Sequence, residues 1–295
     1  MAAAPSSLCS VGATLGEGPV WDERDGSLWF VDIKERRIHR FDPAQGVLRS
    51  WNAPDQVGWV LPDDDGTFVA GLKNGLHRFD PDGGAFTPLA DPEPHLPRNR
   101  LNDATVDREG GIWFGSMDDG EEDATGHVYR YANGAASRIP LEPVVITNGP
   151  AFSPDGRTLY HVDTLGRAIW AVEAGDDARI GEARLFARIE DGAGYPDGPT
   201  VDAEGYVWIG LFGGWGVRRY APDGRLVEAI AFPVANVTKI AFGGDGLRTA
   251  FATTARKGLS ARELAEQPLA GDLFAFDPGV AGLPVPPARL SRRSR

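Results

Sequence analysis

The sequence predicts an all-β fold, a six-bladed β-propeller, and three observations carry that expectation. The chain is rich in turn formers, with 38 glycines and 23 prolines among 295 residues. Long stretches of helical periodicity are scarce, while short alternating apolar runs recur. One pattern then returns six times: an acidic or polar turn ending in glycine, an apolar strand, and a second strand soon after. With 42% hydrophobic residues the chain can bury a large core.

The turn glycines, in order, are Gly26, Gly66, Gly110, Gly156, Gly205 and Gly246, separated by 40, 44, 46, 49 and 41 residues. Sequences such as ERDG, DDDG and SPDG suit tight turns because glycine accepts positive φ. The strands that follow read LWFVDI (28–33), TFVAGL (67–72), IWFGSM (112–117), LYHVDT (159–164), VWIGLF (207–212) and TAFATT (249–254). Their partners read IHRFD (38–42), LHRFD (76–80), VYRYA (128–132), IWAVE (169–173), VRRYA (217–221) and LFAFD (273–277). A unit of this length with four short strands is one blade. No blade buries both faces alone, so one propeller over residues 1–295 is the expected domain. The stretch 255–271 reads as an insertion in the last blade with one helical turn. The basic tail 290–295, LSRRSR, is expected to fray.

In a propeller the innermost strand of each blade lines a central channel, and here it should precede each turn glycine. Counting back eight residues gives Gly18, Gly58, Asn102, Asn148, Asp197 and Thr238. The first turn, WDERDG, carries one extra residue, and a shift of one replaces Gly18 with Glu17. Four of the six positions then bear a carboxylate or carboxamide, in the similar contexts GEGPVW, LNDATV, TNGPAF and PDGPTV. Any one of them alone reads as a turn cap or a partner for channel water. Four at one offset, converging on one axis, favour a divalent cation held by Glu17, Asn148 and Asp197, since buried carboxylates need compensation.

The net charge of −12 excludes a phosphate-binding surface, so no nucleic-acid partner is expected. No apolar run approaches membrane-spanning length. The first 15 residues lack a basic segment followed by a long apolar one, so the expected location is cytoplasmic. Cys9 is the only cysteine, which rules out an intrachain disulfide and a Cys-based zinc cage. There is no HExxH and no GxSxG, and Cys9 has no activating context. His39 and His77 share one strand slot and read as structural, and His161 reads as a core histidine. Trp59, Tyr195 and Trp215 read as loop residues near the axis.

Five segments carry a resemblance: LGEGPVW (15–21), RLND (100–103), TNGPAFSPDGRTLYHVDT (147–164), PDGPTVDAEGYVWIG (196–210) and NVTKIAFGGDGLRT (236–249). Together they make the chain resemble the regucalcin/gluconolactonase family, also known as senescence-marker-protein-like lactonases. The resemblance implies a six-bladed propeller with one divalent cation in its channel, hydrolysing sugar lactones to aldonic acids. Carried over by motif, the metal ligands are Glu17, Asn148 and Asp197, and the substrate-side residues are Arg100 and Asn102. The family also carries an acid after the third blade's second strand. The stretch here is MDDGEEDATG, where Asp119 and Glu121 both qualify and Glu121 is the candidate. Asp197 is the candidate general base as well as a ligand. The cation could be calcium, zinc, iron(II), manganese or magnesium. The implied partner is a small sugar lactone (xylono-, arabinono-, galactono- or gluconolactone), and the protein is expected to work as a monomer. The competing expectations are a calcium-binding regulator without turnover and a propeller scaffold for other proteins.

Overall fold

The computed structural model describes residues 4–175 and 179–290, and its strands form six four-stranded antiparallel sheets. The tail residues 291–295 lie outside the described residues. Leu290, just before them, donates its N–H to Asp63 Oδ1 at 3.3 Å.

The first sheet shows the plan. Gly16–Asp22 is innermost, followed outward by Ser27–Asp32, Arg37–Asp42 and Val47–Asn52. The next four sheets repeat it in chain order, with inner strands Val57–Pro62, Asn99–Val106, Thr147–Phe152 and Tyr195–Val201. The sixth has Val237–Gly243 innermost, then Thr249–Thr254 and Leu273–Phe276. Its outer strand is Ser6–Cys9, from the other end of the chain, with Ser6 opposite Ala275 and Cys9 opposite Leu273. This pairing closes the ring, and each inner strand packs against the inner strands of the two neighbouring blades. The insertion before Leu273 holds a helix, Ala261–Glu266, capped reciprocally by Ser260 and Glu263.

All six turn glycines have positive φ, between 61° and 93°, which is why the turn motif repeats as glycine. The turn aspartates also serve as anchors. Asp107 accepts from Trp113 Nε1 at 2.8 Å and Arg130 Nε at 2.7 Å. On the fifth blade Asp202 does the same for Trp208 and Arg219. Aromatic side chains fill the seams between blades. Trp29 stacks on Trp51 and tilts against Phe68 of the second blade, and Trp208 meets Phe242 and Phe276 of the sixth. Each fully buried aromatic or leucine of this kind contributes about 1.5–3 kcal/mol.

Trp59 corrects the sequence reading. It lies inside the inner strand Val57–Pro62, is 1% exposed, and packs against Phe114 of the third blade rather than standing in a loop. Among the described residues no helix is long and apolar enough to cross a membrane.

His39 and His77 do occupy equivalent ladder positions, opposite Phe30 and Ala70. His161 is buried opposite Trp170, with no partner on Nδ1. Burial lowers the pKa of both His39 and His161 to about 4, helped at His39 by Arg37. Both rings are therefore neutral in the fold and must take up protons on unfolding below about pH 6.5. The stability they retain above that pH is lost as pH falls from 6.5 toward 4, by about 3 kcal/mol per ring. Urea midpoints measured across this range should fall in the wild type and fall less in His161→Phe, which places at 161 the residue found at the matching positions 30 and 114.

Candidate functional site

All six inner strands carry a β-bulge near their first residues. The ladder pairs beside it are Gly16–Asp32, Val57–Leu72, Leu101–Ser116, Thr147–Asp163, Pro196–Leu211 and Val237–Thr254. The residues that follow are Glu17, Gly58, Asn102, Asn148, Asp197 and Thr238. Register also puts Glu17 level with Asn148: Glu17 faces Val31 and Asn148 faces Val162, each one step after a pair ending in aspartate. A bulge twists its strand and re-aims the side chains beside it, so this level is where six strands can turn side chains toward one axis.

The six positions divide by role. Gly58 contributes no side chain, and a Cβ there would lie 2.5 Å from the carbonyl oxygen of Leu101. It marks the close approach of the second blade to the third. Thr238 turns to the ring instead, donating from Oγ1 to the carbonyl of Gly16 at 2.7 Å. Asn102 donates to the Thr147 carbonyl at 2.7 Å and to Asn148 Oδ1 at 3.1 Å, and accepts from Arg100 Nη1 at 2.6 Å. Asn148 donates from Nδ2 to Thr164 Oγ1 at 2.9 Å, which aims its amide oxygen away from that threonine.

Glu17 and Asp197 stand on the first and fifth blades, which are not neighbours, yet the charge of one carboxyl group acts on the other. That influence therefore crosses the channel. Both are nearly fully buried. Burial and the charge of Asp103 push Glu17 up to about 7, against the pull of the Gly18 N–H, Lys239 and Arg100. Burial and the charge of Glu17 push Asp197 well above the carboxylate range. Asp197 Oδ1 is buried and has no hydrogen-bond partner.

Two carboxylates and one carboxamide make an all-oxygen donor set, suited to a hard divalent cation. An unpartnered buried carboxylate oxygen and two mutually repelling carboxyl groups are what such a cation would relieve, so the residues fit it. Among the described residues no group of three or more His, Cys, Asp and Glu side chains forms a metal cluster.

Above this level the substrate-side candidates form a charged network. Arg100 is 3% exposed and binds Asp119 Oδ1 through Nε at 2.9 Å. Asp119 also accepts from Lys34 Nζ at 2.7 Å and Gln56 Nε2 at 2.9 Å, with Lys73 3.7 Å away. Although burial opposes it, these partners hold the Asp119 carboxyl well below its ordinary range. Glu121 has no direct bond to this cluster, though its charge acts on Arg100. Its φ is 59°, and it pairs with Lys257 of the sixth-blade insertion, on the opposite side of the ring. Tyr195 begins the fifth inner strand and Trp215 follows the second strand of that blade; both are exposed.

Sequence reasoning missed Asp103 and Lys239. They directly follow two column positions, and their Nζ–Oδ1 distance is 2.6 Å. The signal was present in RLND and NVTK, but a strand residue one step from the column reads as facing away from it. A cavity of about 700 Å³ opens on the other side of the column, walled by Pro19, Val20, Leu61, Pro199, Ile240 and residues 283–286. None of the candidate ligands lines it.

A protein-family model described as the SMP-30/Gluconolactonase/LRE-like region matches residues 15–256. The chain is 38% identical over 274 residues to L-arabinolactonase of Azospirillum brasilense, covering 92% of this chain and 90% of the relative. It is 33% identical to 6-deoxy-6-sulfogluconolactonase of Pseudomonas putida, covering 93% and 94%. Among solved structures it matches a calcium-binding protein, regucalcin, from Agrobacterium tumefaciens, with a TM-score of 0.93, 30% identity and 98% coverage of both chains.

A neutral amide at position 119 would leave Arg100 and Lys34 buried or half-buried without their shared anion. Asp119→Asn is expected to cost about 3 kcal/mol of unfolding free energy, measured by urea denaturation at pH 7.

Proposed function

Because the chain belongs to the SMP-30/gluconolactonase/LRE-like family, we propose that it opens sugar lactones to aldonic acids at the axial site, with one divalent cation held by Glu17, Asn148 and Asp197. It is a lactone-hydrolysing enzyme by kinship with relatives that carry lactonase names. The observation that carries the site is the buried, unpartnered Asp197 Oδ1, at the same bulge level of its inner strand as Glu17. The substrate class is a neutral five- or six-membered aldonolactone, of the xylono-, arabinono-, galactono- or gluconolactone kind.

When bound, the cation supplies Lewis acidity toward a lactone carbonyl. The chain's own residues do the rest. Asp197 takes a proton from the attacking water. Water oxygen bonds to the carbonyl carbon, the ring C–O bond breaks, and the proton passes to the departing ring oxygen. Asn102, clamped by Arg100 and the Thr147 carbonyl, borders the substrate side and donates to Asn148 Oδ1. Arg100 keeps the Asn102 amide oriented, and Asp119 in turn keeps Arg100 in place. Glu121, paired with Lys257, is the candidate to meet ring hydroxyls.

Chelator-stripped protein should release no acid from pentono- or hexonolactones above background. Activity should return with one of calcium, manganese, magnesium, zinc or iron(II). Glu17→Gln, Asn148→Ala and Asp197→Asn should each lower kcat/KM by about 100-fold or more. If no lactone in the panel opens faster than background with any ion, the enzymatic reading fails. Tight calcium binding with no turnover would instead favour a calcium-binding role.

A further inference from the structure

We propose that Asp103 and Lys239 are a positioning pair that forms the floor of the axial site and fixes two of its ligands, an inference that rests on the metal-dependent reading above. The pair is built across the whole channel. Asp103 stands on the third blade and Lys239 on the sixth, directly opposite in a ring of six. Lys239 Nζ reaches Asp103 Oδ1 at 2.6 Å, with the residues 7% and 1% exposed.

Each end of the pair touches the backbone beside a candidate ligand. Asp103 Oδ2 accepts the N–H of Gly149 at 2.9 Å, and Gly149 directly follows Asn148. The lysine stem runs against Gly198, which directly follows Asp197. A Cβ on Gly198 would lie 2.6 Å from Lys239 Cδ, so the stem passes only because residue 198 is glycine. Thus the pair holds the peptides next to Asn148 and Asp197 from below.

Its charges also suit that place. A lone Asp103 would add a third negative charge beside Glu17 and Asp197, and a lone lysine would compete with the cation for them. Joined, they leave the floor neutral and the ligand level anionic. Lys239 lines the 700 Å³ cavity on the far side, whereas Glu17, Asn148 and Asp197 do not. The pair therefore separates the site from that cavity and leaves the opposite end of the channel as its entrance. Replacing a buried ion pair by apolar or neutral groups of similar volume is often neutral for stability, so fold stability alone does not call for a pair at this location.

The test is Mn²⁺ binding to metal-stripped protein by calorimetry, which needs no turnover. The double variant Asp103→Asn with Lys239→Met removes both charges at similar volume. It should keep wild-type thermal unfolding and circular dichroism while binding Mn²⁺ about 10–100-fold more weakly. Gly198→Ala is the second arm: it keeps both charges but displaces the lysine stem, and should weaken Mn²⁺ binding in the same direction. A folded double variant with wild-type Mn²⁺ affinity overturns the proposal; if that variant does not fold, unchanged affinity in Gly198→Ala does so. A wild-type protein that binds Mn²⁺ but opens no lactone leaves the floor standing and removes the lactonase reading. A wild type that binds neither Mn²⁺ nor calcium removes both.

Discussion

The structure depends on one costly arrangement, two buried carboxyl groups whose charges act on each other across a channel. Glu17 and Asp197 belong to blades that do not touch, so only a closed ring can bring them into reach. Burying a carboxylate without a partner costs several kcal/mol, and the raised Glu17 pKa records that cost. The seams between blades offset it. Packed aromatic side chains, from Trp29 and Phe68 on one side to Trp208 and Phe276 on another, hold the blades of the ring together. The closing strand Ser6–Cys9 is a small element with a large consequence, since it joins the sixth blade to the start of the chain.

The bulge supplies the aim. Without it each inner strand would alternate side chains evenly between its two faces. With it, one level of six strands is re-aimed, and identity at that level decides what the ring can hold. A glycine at 58 allows close packing, a threonine at 238 ties blade six to blade one, and acids and amides fill the rest. The same architecture with apolar residues there would be a scaffold. Whatever chemistry the ring supports is set by residue identity at that level, not by the fold.

Much of this was legible in the sequence because the repeat is geometric. Turn glycines at steady spacing report blades, and a fixed offset from them reports a level in the channel. The one-residue correction that admits Glu17 agrees with the ladder, which sets Glu17 level with Asn148. What was not legible has a common cause. Ser6–Cys9 has no turn glycine and borrows its sheet from Leu273–Phe276, near the far end of the chain. The pairs Asp103–Lys239 and Glu121–Lys257 each join blades three and six, a separation that no local pattern encodes. Trp59 looked like a loop residue because it directly follows Gly58, the glycine that close blade packing demands.

The cations near the axis follow a consistent rule, and it bears on why the carboxylates remain usable. Arg100 and Lys239 both favour an ionised Glu17, and Lys257 favours an ionised Asp197. Yet among the described residues none of the three forms an ion pair with either acid. Each is already engaged elsewhere: Arg100 with Asp119, Lys239 with Asp103, and Lys257 with Glu121. A lysine paired directly with Asp197 would satisfy its bare oxygen. Cations held one partner away instead soften the repulsion between the two acids through a low-dielectric interior, and leave Asp197 Oδ1 without a partner. The outer acids thus act as anchors that stop the positive charges from collapsing onto the site. This accounts for a chain of net charge −12 that still gathers Lys34, Lys73, Arg100 and Lys257 at one end of its axis.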